Sequence, residues 1–281
     1  MNIIFAGDLH LTHKTPSSRL DDYPTTILTK LEWILSHKGI KIFTGDIFDR
    51  IDIPREYLNK VINVFEKFKD EEVYTIVGNH DMLYGSNQYM NRTPIGILFS
   101  TKFLKPLDTL ETPEFEIIGW NYGENGRKYP TTKKKAILVA HGFYEVGQEK
   151  ERILQSDIDR FDVAVFGHDH NIYEEKGLLF RPGSISRMTS KNEDSQRDFI
   201  QILDMKEDLS YNYVKYNTDK NVFNQAFIQL KRKVKETKKF DISIFKNFEA
   251  ESLEHILESQ DFSEFANQTK EDFKRMYAEF K

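Results

Sequence analysis

Four short runs of apolar and β-branched residues end in glycine and turn polar at the next position. They are NIIFAG before Asp8, IKIFTG before Asp46, VYTIVG before Asn79 and DVAVFG before His168. A fifth, AILVAHG, places His141 just inside its glycine, and EIIGW at 116–120 is a sixth apolar run. Segments this short and this apolar read as strands buried on both faces. Between the first three lie helical patterns. Ile27, Leu31, Ile34 and Leu35 form one stripe, with Gly39 as its expected C-cap. Tyr57, Val61, Phe65 and Phe68 form another, with Pro54 placed in its first turn. Strand–helix–strand alternation predicts an α/β layered fold that begins with parallel strands. GLLFRPGS, DFIQILD and LSYNYVKY then follow one another without helices and predict a second sheet or an antiparallel extension.

The chain has 281 residues, enough for one large domain with an appendage, and a formal charge of −5 that does not describe a protein coating nucleic acid. It has no cysteine, so any metal must be held by His, Asp, Glu or Asn. The amino terminus has no basic stretch and its apolar run stops at Asp8, which is not the pattern of a signal peptide. No run approaches a membrane span, so a cytoplasmic protein is expected. Beyond about residue 216 the composition changes. Residues 220–239 hold seven Lys or Arg against one Glu, and 241–264 hold seven Asp or Glu against one Lys. Phe223, Phe227, Leu230 and Val234, and again Phe273, Met276, Tyr277 and Phe280, are spaced as amphipathic helices. The expected division is therefore 1–215 and a helical extension 216–281.

In an α/β sheet the loops that follow the strands gather along one edge, where sites are built. Here those loops supply Asp8 and His10, Asp46 and Asp49, Asn79 and His80, His141, and His168 and His170. The i, i+2 spacing of Asp8/His10 and His168/His170 aims each pair to one side of an extended segment. Oxygen and imidazole without thiolate suit Mn²⁺, Fe or Zn²⁺. So many candidate ligands are too many for one ion and enough for two that share a carboxylate.

The order D-x-H, G-D-x-x-D-R, G-N-H-D, H-G and G-H-x-H, running from Asp8 to His170, resembles the calcineurin-like metallophosphoesterase superfamily. RPGSISR at 181–187 resembles the P-G-S segment that follows the last motif there. GDLHL and GDIFDR, ahead of a helical tail, look most like the SbcD-type nuclease subunit of DNA double-strand-break repair, in a compact, phage-like form. The resemblance implies a four-layer α-β-β-α sandwich with a small C-terminal helical extension. It implies two divalent ions, Mn²⁺ foremost. Asp8, His10 and His170 would hold one, Asn79, His141 and His168 the other, and Asp46 would bridge. His80 would be the catalytic acid, oriented by Asp49. It further implies exonuclease and endonuclease action on DNA, a homodimer and an SMC-like ATPase partner. Arg50, Arg181 and His13 are candidate substrate contacts, and Lys14, Arg19, Arg92 and Lys133–Lys135 could track a DNA backbone. A phosphodiesterase or phosphatase acting on small molecules or phosphoproteins, and a DNA-positioning subunit with little turnover, stay open.

Overall fold

The computed structural model describes residues 2–124, 127–148, 151–188, 197–218 and 222–224. From the amino terminus come β1 (Asn2–Ala6), α1 (Tyr23–Leu35), β2 (Ile40–Phe43), α2 (Arg55–Lys67), β3 (Val73–Thr75) and α3 (Pro94–Thr101). There follow β4 (Lys105–Pro106), β5 (Thr109–Glu111), β6 (Phe115–Trp120), β7 (Lys135–His141), β8 (Phe143–Tyr144) and β9 (Arg152–Ile153). The last are α4 (Gln155–Ile158), β10 (Val163–Gly167), β11 (Tyr173–Glu175), β12 (Leu179–Arg181), β13 (Phe199–Lys206) and β14 (Tyr211–Asn217).

The strands form two six-stranded sheets, ordered β14-β13-β1-β2-β3-β4 and β11-β12-β10-β7-β6-β5. In the first, β1 to β4 run parallel and β13 and β14 extend the edge antiparallel. In the second, β6, β7, β10 and β12 run parallel, with β5 and β11 antiparallel outside them. Both readings of the late strands are thus realised: GLLFRPGS joins the second sheet, while DFIQILD and LSYNYVKY extend the first.

Alternation within each strand explains the layering. Ile3, Phe5, Ile40 and Ile42 of the first sheet pack on Ile117, Ile137, Val139 and Val165 of the second. Their neighbours Ile4, Ala6 and Phe43 point the other way, onto Ile27, Leu31 and Ile34 of α1 and Val61 and Phe65 of α2. On the far face of the second sheet, Leu138, Ala140 and Phe166, with Trp120 of β6 beside them, are covered by Tyr129, Phe161 and Ile158. Among the described residues, helix in that outer layer is the single turn of α4, and the rest of the layer is loop. Loops can seal the sheet there because the rings of Tyr129 and Phe161 supply apolar area that a longer helix would otherwise bring.

Two local expectations change. Helix α1 ends at Leu35 with Ser36 as its cap, and Gly39 (φ +122°) instead makes the turn into β2, where a Cβ would lie 2.4 Å from the Asn2 carbonyl oxygen. Pro54 is the N-cap of α2 rather than a residue of its first turn.

One buried carboxylate ties the outer loop to the sheet. Glu116 of β6 accepts hydrogen bonds from the backbone N–H groups and hydroxyls of both Thr131 and Thr132. Burial pushes its pKa up, but these bonds outweigh burial and hold it down to about 2. A depressed carboxylate stabilises the fold above its unfolded pKa and loses that contribution as pH falls. Glu116→Gln is therefore expected to cost on the order of 2 kcal/mol at neutral pH. In urea titrations at a series of pH values, the gap from wild type should close between about pH 4.5 and 2.

The chain divides into two compact units, Met1–Phe223 and Asn224–Lys281. Phe223, expected to open a helical stripe, is a buried β-bridge partner of Arg19 and lies between the Arg19 and Arg187 guanidinium groups, each about 5 Å from its ring. The rest of that stripe, and the Phe273/Met276/Tyr277/Phe280 stripe, fall outside the described residues. No helix among the described residues is long and apolar enough to cross a membrane.

Candidate metal centre

The parallel strands β1, β2, β3, β7 and β10 deliver their carboxyl ends to one edge shared by both sheets, and the polar residues of all five motifs meet there. Glycines let the loops approach. A Cβ on Gly78 would lie 2.1 Å from Asp46 Oδ1 and 2.4 Å from its backbone nitrogen. Gly45 (φ +96°) is equally confined, since a Cβ there would meet His141 Nδ1 at 2.5 Å. These glycines answer to the neighbouring loop, not only to their own turn.

His141 is fully enclosed. Its Nδ1–H donates to the Thr44 carbonyl oxygen at 2.7 Å, which leaves Nε2 to face Asn79 Oδ1 at 3.1 Å and Asp46 Oδ2 at 3.3 Å. The His168 ring centroid is 5.0 Å from that of His141. Asp46, His141 and His168 bring one donor atom each within 4.8 Å of one another. On the other side of Asp46, His10 Nε2 lies 3.8 Å from Asp46 Oδ2 and 3.1 Å from His170 Nε2. Asp8 is buried beneath both halves; its Oδ1 accepts the His168 N–H at 3.1 Å and lies 3.6 Å from His141 Nδ1. Asp46 thus stands between two groups of donors.

The electrostatics are those of a site built for added positive charge. Asp8 and Asp46 are 1% and 2% exposed. Burial raises the Asp8 pKa, His141 and His170 oppose it, and the charge of Asp46 adds to it. Burial also penalises Asp46, yet His141, His10 and His80 hold its carboxyl well below the usual range. Burial, helped by the neighbouring histidines and opposed by Asp46, pushes His10 down to about 3 and His168 down to about 4, so both rings are neutral donors. For His141 burial is outweighed by Asp46 and Asp8, which lift it to about 9. Ligand atoms about 2.0–2.2 Å from a common ion lie roughly 2.9–3.5 Å apart. The His10–His170, His141–Asn79 and His141–Asp46 separations of 3.1, 3.1 and 3.3 Å fit that spacing.

A rival grouping shares His10. Its Nδ1 is buried without a hydrogen-bond partner among the described residues and sits 3.6 Å from Asp49 Oδ1. His10, Asp49 and His80 also present donors within 4.8 Å of one another. His80 is set apart by its surroundings: its side chain is 41% exposed and its Nδ1–H donates to the Asp49 backbone carbonyl oxygen at 2.6 Å. The Asp49 carboxylate is 3.8 Å away. Orientation of His80 therefore comes from the Asp49 main chain, and the carboxylate contributes charge. Burial raises the Asp49 pKa, with His80 and Arg50 pulling the other way.

The expected substrate contacts are scattered. Arg50 is an exposed neighbour of Asp49 and pairs with Asp52 at 3.3 Å. Arg181 is held by Asp169 and lies over the Tyr173 ring at 4.7 Å. His13 is half-buried, with Nδ1 lacking a hydrogen-bond partner among the described residues. Arg19 cannot track a DNA backbone, because it is buried and bound through two nitrogens to Asp21 at 2.7 Å. Lys134 and Lys135 lie at the start of β7, whose other end carries His141, roughly 20 Å away along the strand.

Several functional supports are long-range and carry no local signature. Asp81, the last letter of GNHD, is buried: its Oδ2 accepts N–H groups of Ile47 at 3.2 Å and Gly78 at 3.1 Å, and its Oδ1 that of Phe48 at 3.0 Å. It locks the second motif to the third. Burial and the Asp46 charge raise its pKa to about 7 against those three bonds. Asp81→Ala leaves the donors unpaired and is expected to cost about 3 kcal/mol, a fall in Tm of roughly 6–12 °C by calorimetry. A Tm within 2 °C of wild type would show that the motifs do not depend on this lock.

Lys30 points inward from α1, with Nζ donating to the Ile185 carbonyl at 2.8 Å. The same segment reaches the first and last motifs, since Ile185 N–H donates to the Asp8 carbonyl at 3.0 Å and Ser184 N–H to that of His170 at 3.1 Å. Tyr122 flanks His168 at 5.5 Å between ring centroids, and its hydroxyl donates to Glu151 at 2.6 Å.

Comparison with known proteins places residues 1–172 on the model of the calcineurin-like phosphoesterase family. Among solved structures, a metallophosphoesterase from Sphaerobacter thermophilus matches 84% of this chain and 95% of its own at 13% identity, with a TM-score of 0.37. No curated protein matches the chain.

Proposed function

Because the chain belongs to the calcineurin-like phosphoesterase family, we propose that it is a two-metal phosphodiesterase acting on DNA, a nuclease subunit of the SbcD type. The observation that carries the two-metal part is the position of Asp46, which stands between His10/His170 on one side and Asn79/His141/His168 on the other. Asp8, His10, His170 and Asp46 would hold one ion, and Asn79, His141, His168 and Asp46 the second. Bound divalent ions supply charge for the phosphate and a lowered pKa for water.

The chain's own groups do the rest. His80, exposed at the mouth and fixed through Nδ1, has Nε2 to present a proton to the leaving oxygen. The Asp49 carboxylate lies 3.8 Å from its Nδ1. Asn79 would ligate without adding negative charge, which would keep the centre attractive to a phosphodiester. DNA as substrate, Mn²⁺ as the metal, a homodimer, an SMC-like ATPase partner and a cytoplasmic setting rest on the motif resemblance.

The test is degradation of end-labelled duplex and single-stranded DNA with Mn²⁺, alongside a nitrophenyl phosphodiester. Cleavage of DNA by wild type, lost on chelation, is expected. Turnover of the small diester beside DNA that stays intact, with and without a candidate ATPase, would overturn the nuclease assignment and leave a small-molecule phosphodiesterase.

A further inference from the structure

Directly after the third motif the chain makes a tight turn. Leu83 and Ser86 form an antiparallel bridge closed by the Ser86 N–H to the Leu83 carbonyl at 3.2 Å. Both residues between them are left-handed, Tyr84 at φ +55° and Gly85 at φ +63°. Two positive φ angles mark a type I′ turn, whose first central position favours Asn, Asp or Gly. A tyrosine there is strained, and the fold gains little in return: the side chain is 81% exposed. Its described ring contact is an edge-on one with Tyr89, at 5.7 Å and 90°. Arg92 in turn lies 6.0 Å from the Tyr89 ring. Strain held without a packing return is a reason to look for a ligand.

The root of this turn is rigid. Asp81 is locked by its three backbone bonds, and the Met82 N–H donates to the Asn79 carbonyl at 3.4 Å. Tyr84 lies four positions after His80, so their Cα atoms are at most about 14 Å apart. A Cβ on Gly85 would meet nothing within 4 Å, so the tip stands in open space.

We propose that Tyr84 is a stacking platform for a nucleobase next to the scissile phosphate, with Tyr89 holding its ring on edge and Arg92 supplying positive charge to the neighbouring backbone. The inference rests on the nucleic-acid reading above and gives the site a way to grip the strand. Stacking on an aromatic face is tolerant of sequence, so the platform serves an enzyme that reads no particular bases.

The experiment compares kcat/KM for a single-stranded oligonucleotide with that for an abasic oligonucleotide of equal length, in wild type, Tyr84→Ala and Tyr84→Trp. Wild type should prefer the base-bearing strand by about tenfold or more. Tyr84→Ala should bring the ratio close to one, and Tyr84→Trp should restore it. Without added metal, oligonucleotide should quench the extra emission of Tyr84→Trp relative to wild type, and the abasic strand should not. Equal wild-type rates on the two strands, or a preference that survives in Tyr84→Ala, would overturn the platform while leaving the nuclease reading intact. Hydrolysis of a nitrophenyl diester with neither oligonucleotide cleaved would remove the nucleic-acid reading and the platform with it.

Discussion

The His80→Ala protein is expected to hydrolyse a phosphodiester with an alkoxide leaving group about 10²–10⁴-fold more slowly than wild type. Its uptake of divalent ions should be unchanged. The separation follows from geometry: His80 is turned out to solvent and anchored through Nδ1 to a main-chain carbonyl, while His10, Asp46 and His141 are enclosed. A proton donor matters in proportion to the basicity of the leaving group. The same substitution should therefore cost far less on a nitrophenyl ester, whose leaving anion needs little protonation. Matched losses on the two esters would indicate that His80 acts in binding or as a ligand. Asp49→Asn makes the complementary case, since it keeps the carbonyl that orients His80 and removes only the nearby charge.

The second large effect concerns Asp46. Asp46→Ala is expected to abolish turnover and also to abolish thermal stabilisation by added Mn²⁺. At a hundredfold excess over Kd each bound ion contributes about 2.7 kcal/mol, or roughly 5–10 °C in Tm for a unit of this size. Chelation of wild type should remove the same stabilisation, and Mn²⁺ should restore both Tm and turnover. The variant should respond to neither treatment. Asp46 stands at φ +48°, with its Oδ1 accepting the His80 N–H at 2.9 Å, so its loss also loosens the third motif. Asp46→Asn retains that acceptor and separates the two contributions. It should keep its apo stability and still lose the response to Mn²⁺.

How far the fold was legible can be judged from particular residues. The six early runs became strands because each is apolar at nearly every position, a pattern that a strand covered on both faces requires. Late strands could not be assigned to a sheet, because β12, β13 and β14 differ in partner and not in local pattern. Gly39 misled as a cap because its φ serves the start of β2 instead. Phe223 had helical spacing with Phe227, yet two buried arginines claim it as a bridge residue.

At the site, the polar residues of the five motifs were visible since each follows a strand end, and their convergence is what a parallel sheet imposes. Supports acting across the chain were not visible. Asp81 serves the 46–48 loop, Lys30 serves the 185–186 carbonyls, and Glu151 serves Tyr122. Charge counting likewise named Arg19 and Lys135 as free cations. Arg19 is consumed by Asp21, and the Lys135 Nζ donates to the Glu207 carbonyl at 2.8 Å.

Anomalous diffraction from crystals grown with Mn²⁺ tests the two-metal account most directly. Two peaks are expected on either side of Asp46, one touching Asp8, His10 and His170, the other Asn79, His141 and His168, with His80 bound to neither. A single ion held by His10, Asp49 and His80 would contradict it, and would make His80 a ligand instead of the proton donor.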